Sequence, residues 1–213
     1  MQAPQKIRVA VNGYGVIGKR VAEAVSLQPD MVLAGVADIA ADWRLAVAAA
    51  KGFEVFGATA TAAAAMQAAR IAVSGEVSSL LAAADIVVDC TPKHVAATNV
   101  EAYRRLGLKF IVQGGEKHAL TGHSFVAETS YDTAVGRHST RVVSCNTTSI
   151  VRTLGALKRV GLLHSARGTL LRRATDPWES HETGIMKTLV PEPSIPSHQG
   201  PVAQRVGPAL DAV

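Results

Sequence analysis

One stretch near the start restricts this chain more than any other. The apolar, β-branched run Ile7-Arg8-Val9-Ala10-Val11 leads into Asn12-Gly13-Tyr14-Gly15-Val16-Ile17-Gly18, and residues 18–25 then carry an apolar face at helical spacing. A strand that enters G-x-G-x-x-G and leaves as a helix is the opening of a βαβ unit that binds a dinucleotide. Gly13 permits the tight turn, Gly15 lets a pyrophosphate approach the backbone, and Gly18 allows close helix packing, while the helix N-terminus attracts the phosphates. A second buried-strand candidate, residues 31–37, is closed by Asp38, 20 positions after Gly18. An acid at that point accepts hydrogen bonds from the adenosine ribose hydroxyls and repels a 2′-phosphate. Asp38 therefore points to NAD, with NADP left open by the nearby Arg44 and Lys51. The plainer reading, in which Asp38 only caps the following turn, also stays open.

The alternation continues downstream. The pattern predicts helices over 42–51 and 78–83, a strand over 85–89, a helix over 94–106, a strand over 109–112 and another over 140–143. The alanine-rich stretch 58–69 reads as a surface helix; interrupted by Thr, Gln and then Arg70, it is far less apolar than a membrane span requires. Strands separated by helices imply an α/β fold with a Rossmann-type doubly wound parallel sheet. After Cys145, the residues Ile150, Leu154, Leu157 and Val160 form a helical stripe, and Gly161 is placed to end that helix. From Ser165 the texture changes, with a strand over 169–173 and a stretch rich in proline. These features predict a nucleotide-binding domain over 1–144, followed by the start of an α+β catalytic domain, incomplete, over 145–213.

Composition narrows the partners. The net charge is +5, from 22 Lys and Arg against 17 Asp and Glu, which favours anionic ligands. Aromatic residues make up only 4%, and the basic residues are dispersed without a stripe or stacking platform, so nucleic acid is not expected as a partner. No membrane association and no metal site are expected. With only Cys90 and Cys145 and nothing resembling a signal peptide before the first apolar run, a reducing, cytoplasmic setting is expected.

Cys145 stands between a strand and a helix, within Val143-Ser144-Cys145-Asn146-Thr147-Thr148-Ser149. A helix N-terminus favours a thiolate through its unpaired N–H groups and its dipole, and the polar residues 146–149 are good caps and donors. The plainer reading is a buried structural thiol, as expected for Cys90 at the end of its apolar strand. A nucleophilic cysteine downstream of a dinucleotide-binding unit suits one reaction type, oxidation of an aldehyde through a covalent thioester.

The stretches VNGYGVIGKRVAEAV, DIVVDCTPK, QGGEKH, VVSCNTTS, RRATDP and PSHQGP, in this order along the chain, resemble the archaeal-type (type II) glyceraldehyde-3-phosphate dehydrogenases. That resemblance implies Cys145 as nucleophile and Gly13, Gly15, Val16, Ile17, Gly18 and Gly115 as cofactor contacts. Arg172 and Arg173 suit phosphate or cofactor by charge, and the resemblance favours Arg173 for the cofactor. It implies Ser144, Asn146, Thr147 and His198 as substrate-binding positions, with Gln199 beside His198 where the family usually has paired histidines, and Val202 where an acidic residue normally follows. It implies as substrates a small phosphorylated aldehyde and inorganic phosphate, and a homotetramer as the assembly. Family members continue beyond residue 213, and the resemblance assigns the role of general base to none of His164, His181 and His198.

Two other functions remain in view. One is a dinucleotide-binding fragment without turnover. The other is a related cysteine-dependent semialdehyde dehydrogenase, which joins the same fold to the same thioester chemistry.

Overall fold

The structure is a computed structural model, and it describes residues 5–92 and 94–167. The described residues divide into two packed units, one made of 5–125 with Tyr131–Val143 and the other of Val126–Ser130 with 144–167.

The first unit is built on one parallel sheet. Its strands are β1 (Ile7–Asn12), β2 (Met31–Asp38), β3 (Val55–Gly57), β4 (Gly75–Glu76), β5 (Ile86–Asp89), β6 (Lys109–Val112), β7 (Ser124–Phe125) and β8 (Ser139–Val142), in the spatial order β4-β3-β2-β1-β5-β6-β8-β7. Every pairing is parallel. The helices in between are α1 (Val16–Ser26), α2 (Trp43–Ala50), α3 (Ala60–Ala68), α4 (Val77–Ala82) and α5 (Val95–Arg105), with α6 (Ala127–Ala134) preceding β8.

Alternate strand residues feed two separate cores, because successive side chains of a strand point to opposite faces. Val11, Val36 and Val55 pack with Ala22 of α1, Leu45 and Ala48 of α2 and Met66 of α3. Their neighbours Ala10, Ala37 and Phe56 pack instead with Leu80 and Leu81 of α4 and Ala96, Val100 and Tyr103 of α5. Both faces are covered, which explains strands that read as continuous apolar runs. The alanine-rich helix is α3; Thr59 caps it by accepting from Ala62 N, and Ala62, Ala63 and Met66 are buried, so the predicted surface helix lays one face on the sheet.

The doubly wound sheet expected from the sequence is present, with every predicted strand up to residue 143 in place within a residue or two. The short strands β3, β4 and β7, of three, two and two residues, escape the sequence patterns because they hold too few residues for alternation to register.

The second unit contains α7 (Cys145–Arg159). Here the predicted apolar stripe is corrected. Burial follows Thr147, Val151 and Gly155, whereas Leu157 and Val160 are exposed, at 40% and 67%. Small side chains on that face allow close approach: a Cβ at Gly155 would lie 3.9 Å from Glu128 Oε2, and Arg159 pairs with the same carboxylate. α6 breaks at Ser130, whose φ and ψ of −137° and 21° are not helical. The predicted strand over 169–173 lies outside the described residues.

Candidate functional site

Strand order reverses between β1 and β5. β2 lies on one side of β1 and β5 on the other, so a crevice opens beyond their carboxyl ends, at Asn12 and Asp89. Ligands of doubly wound sheets bind at such switch points.

The glycine turn occupies the β1 side of that crevice. Gly13 has φ +93°, and a Cβ there would lie 2.7 Å from the carbonyl carbon of Cys90. Gly18 is buried, and a Cβ on it would lie 1.9 Å from the carbonyl oxygen of Gly13. The first and third glycines thus let the turn fold onto itself. Gly15 differs: a Cβ there would meet only Arg44 Nη1, at 4.0 Å. It stands at the N-cap of α1, where no side chain caps the helix. The open side at Gly15 and the uncapped first turn fit a pyrophosphate, with the N–H groups of Val16, Ile17 and Gly18 as donors.

Asp38 ends β2 and serves two purposes. Its Oδ2 accepts from Tyr14 N at 2.6 Å, which fixes the glycine turn, and its Oδ1 accepts from Ala40 N at 2.9 Å in a local turn. The capping reading is therefore correct as far as it goes. Each oxygen keeps a further lone pair for a ribose hydroxyl. Arg44 is held in a fork by Asp42, with Nη2 donating to Oδ2 at 2.7 Å and Nε donating to the same oxygen at 2.9 Å. The guanidinium holds the Asp42 carboxyl below the usual range. Of the two cations considered for a 2′-phosphate, Arg44 faces Gly15, while Lys51 pairs with Glu23 at 3.2 Å. Lys51 lines a cavity of about 320 Å³ with Val16, Lys19, Trp43 and Val47, in which Lys19 Nζ lies 5.3 Å from the centre of the Trp43 ring.

The β5 side is polar and buried. Asp89 is fully buried and accepts from Thr91 N at 2.9 Å, Thr91 Oγ1, Asn99 Nδ2 at 2.9 Å and Tyr103 Oη at 2.6 Å. Asn12 Nδ2 donates to Tyr103 Oη at 2.8 Å, which ties the end of β1 into the same network. Burial drives the Tyr103 phenol far above its ordinary value, so it stays a donor. Cys90 accepts from Gln113 Nε2, and burial pushes its thiol up to about 12, in keeping with an inert structural cysteine. Gly115, with φ +95°, and the buried Glu116 follow β6. Burial raises the Glu116 carboxyl above its ordinary value, with Asp89 contributing. Sequence reading missed Asn12, Asp89, Tyr103 and Glu116; a lone acid closing the apolar run Ile86-Val87-Val88 was the one available signal.

In the second unit Cys145 is exposed, at the first position of α7. Ser144 is the N-cap: its Oγ accepts from Thr147 N at 3.2 Å and lies 2.9 Å from Thr147 Oγ1. The cap expected among residues 146–149 therefore falls one position before the cysteine, because only Ser144 has the extended backbone (φ −61°, ψ 153°) a cap requires. Thr147 is buried, and Asn146 is half-buried beside Cys145. Arg172, Arg173, His198 and Gln199 lie outside the described residues. Among the described residues no group of three or more metal-binding side chains occurs, and no helix is long and apolar enough to cross a membrane.

Comparison with known proteins places these features. Residues 7–116 match the family model described as dihydrodipicolinate reductase, N-terminus. A glyceraldehyde-3-phosphate dehydrogenase from Methanococcoides burtonii is 49% identical over 97% of this chain and 61% of its own length. One from Archaeoglobus fulgidus is 44% identical over 98% of this chain and 61% of its own. The chain thus spans about 61% of the length of these curated relatives. Among solved structures, an NAD-binding protein from Listeria innocua is 16% identical, with a TM-score of 0.48 over 74% of this chain and 41% of that one.

Proposed function

We propose that this chain, which belongs to the family described as dihydrodipicolinate reductase, N-terminus, and is homologous over nearly its whole length to archaeal-type glyceraldehyde-3-phosphate dehydrogenases, is a phosphorylating aldehyde dehydrogenase. The reaction is oxidation of D-glyceraldehyde 3-phosphate, with NAD and inorganic phosphate, to 1,3-bisphosphoglycerate. The observation that carries the reading is an exposed Cys145 at the first position of a helix capped by Ser144, in a chain that also holds an open glycine turn.

The thiolate of Cys145 attacks the aldehyde carbon, forming a C–S bond, and the carbonyl oxygen takes up a proton. When this carbon gives up its hydride, for which a bound nicotinamide would supply the acceptor, the hydroxyl releases its proton and the C=O bond forms again. The resulting thioester is attacked by a phosphate oxygen; the C–S bond breaks, and the sulfur departs as thiolate with the acyl phosphate as product. Ser144 and Thr147 set the helix start that presents Cys145, and Asn146 stands next to the reacting sulfur. Gly13, Gly15, Val16, Ile17, Gly18 and Asp38 hold the adenosine and pyrophosphate, and Asp38 favours NAD over NADP. Gly115 and Arg173 complete the cofactor contacts, and Arg172, His198 and Gln199 those of the substrate. By the same homology the working form is a cytoplasmic homotetramer.

The test is absorbance at the reduced-nicotinamide band with glyceraldehyde 3-phosphate, phosphate and either NAD or NADP. Reduction is expected with NAD ahead of NADP, and abolished in Cys145→Ala. Dinucleotide binding with neither a burst nor turnover would overturn the catalytic reading and leave a nucleotide-binding unit.

A further inference from the structure

Helices α1 and α2 share one core on the same face of the sheet, through Ala22, Leu45 and Ala48. Each also carries a stripe outside that core. Val16, Lys19, Arg20 and Glu23 follow the i, i+3, i+4, i+7 spacing of a single helical face, and Trp43, Val47 and Lys51, the last at the C-cap of α2, repeat every four residues. Between the two stripes lies the cavity of about 320 Å³, with Tyr14 as a further wall. Charge divides it. Toward the helix ends Lys51 pairs with Glu23 at 3.2 Å, which occupies the acid of the groove. Nearer the helix starts Lys19 lies over the Trp43 ring, and neither Lys19 nor Arg20 has a carboxylate partner among the described residues. Apolar surface stays open beside these cations, with Trp43 66% and Val47 45% exposed. Tyr14, by contrast, is 2% exposed, and its phenol makes no hydrogen bond to a described residue, although a buried tyrosine hydroxyl ordinarily finds a partner. Burial, with Glu23 adding to it, raises this phenol above its ordinary value, so it stays a donor.

We propose that this groove between α1 and α2 binds a small aromatic phosphate monoester, at a site separate from the dinucleotide crevice. The match is one of charge and shape. A phosphate monoester carries between about 1.5 and 2 negative charges at neutral pH, against two cations that no carboxylate compensates. Its oxygens accept from Lys19 and Arg20, with the Tyr14 hydroxyl as a third donor, and its ring packs on the open surface of Trp43 and Val47. The volume stands at the lower end of the range of small-molecule pockets, about 300 to 1,000 Å³, and so suits a single ring rather than a dinucleotide. Of the residues assigned above to the dinucleotide only Val16 lines the groove, so the two ligands can be held together.

The experiment is calorimetric titration of the full chain with phenyl phosphate and with methyl phosphate, which keeps the charge and lacks the ring, each with and without saturating ADP-ribose. Phenyl phosphate is expected to bind at least about fivefold more tightly than methyl phosphate, with both affinities unchanged by ADP-ribose. Trp43→Ala should reduce that preference to about twofold or less, and Lys19→Gln should weaken phenyl phosphate at least about fivefold. Trp43 is exposed and Lys19 half-buried, so neither substitution opens the core. Equal binding of the two esters by the unmodified chain overturns the inference, and this arm needs no variant to fold. So does loss of phenyl phosphate when ADP-ribose is present, which would put the ester in the dinucleotide crevice. The substrate site proposed above also takes phosphate, and an affinity indifferent to both substitutions would assign the ester to that site and overturn the inference as well.

Discussion

Beyond β1 the chain turns on glycine, and beyond β5 it turns on buried polar side chains. At Gly13 and Gly18 the packing is backbone on backbone, and a single methyl group has nowhere to go. At Asp89 four donors from three residues converge on one carboxylate, and Asn12 joins them through Tyr103. The turn after β1 is held by absent side chains and the one after β5 by present ones. The two turns should accordingly fail in different ways, the first by collision and the second by loss of hydrogen bonds.

The largest expected effect is on the second turn. Asp89→Ala leaves Tyr103 Oη, Asn99 Nδ2 and Thr91 Oγ1 without their acceptor in a site closed to solvent, at a cost of about 4 kcal/mol. Urea unfolding would register this as a lower midpoint at unchanged slope. A loss below about 1 kcal/mol would mean that water replaces the carboxylate, and the contrast between the turns would weaken.

This contrast also explains what could be read from the sequence. A glycine turn leaves its mark in consecutive letters, since each glycine answers a local demand, and so Gly13, Gly15, Gly18 and the acid at 38 were legible. Strand and helix order was legible for the same reason, apart from strands of two or three residues and the broken helix α6, which the sequence pattern does not predict. The Asp89 network was not, because Asn12 and Tyr103 are 91 residues apart and neither looks unusual in its own surroundings. Glu116 was hidden for a different reason. Within Gln113-Gly114-Gly115-Glu116-Lys117-His118 it reads as one polar residue of a loop, and only the fold buries it. The stripe on α7 misled because burial there follows the small residues Thr147 and Gly155, which hydrophobic spacing does not weigh.

Within the first turn, two glycines separate shape from binding. Gly18→Ala forces a Cβ to 1.9 Å from a carbonyl oxygen, and we expect a loss of about 3 kcal/mol together with cofactor binding. Gly15→Ala keeps an allowed backbone (φ −77°) and meets nothing closer than Arg44 Nη1 at 4.0 Å, so stability should change by only about 0.5 kcal/mol. NAD affinity should nevertheless fall about tenfold, because the methyl group fills the approach that a pyrophosphate needs. Thermal melting and titration of the two variants together decide the matter. Equal stability losses at both positions would mean that Gly15 serves packing and not a ligand.

The smallest expected effect lies at the opposite end of the same seam. Asp85 precedes β5 and pairs with Arg8 of β1 at 2.7 Å, with both side chains nearly half exposed. Like Asp89, Asp85 is an acid at one end of β5 that helps to tie this strand to β1; unlike it, it sits in water, where a single ion pair contributes little. The Arg8 guanidinium holds the Asp85 carboxyl at about 2. A carboxyl depressed in the folded state contributes stability that is fully present above its unfolded value, about 3.9, and is lost as pH falls through the folded one. Asp85→Asn should therefore be slightly less stable than the unmodified chain at about pH 6, with the gap closing between about pH 4 and pH 2. Melting temperatures of the two proteins across that window provide the measurement. A gap that persists undiminished at about pH 2 would show that Asp85 acts by accepting hydrogen bonds from Arg8 N and Nε whether or not its carboxyl is ionised, and would make the two ends of the seam more alike than their burial suggests.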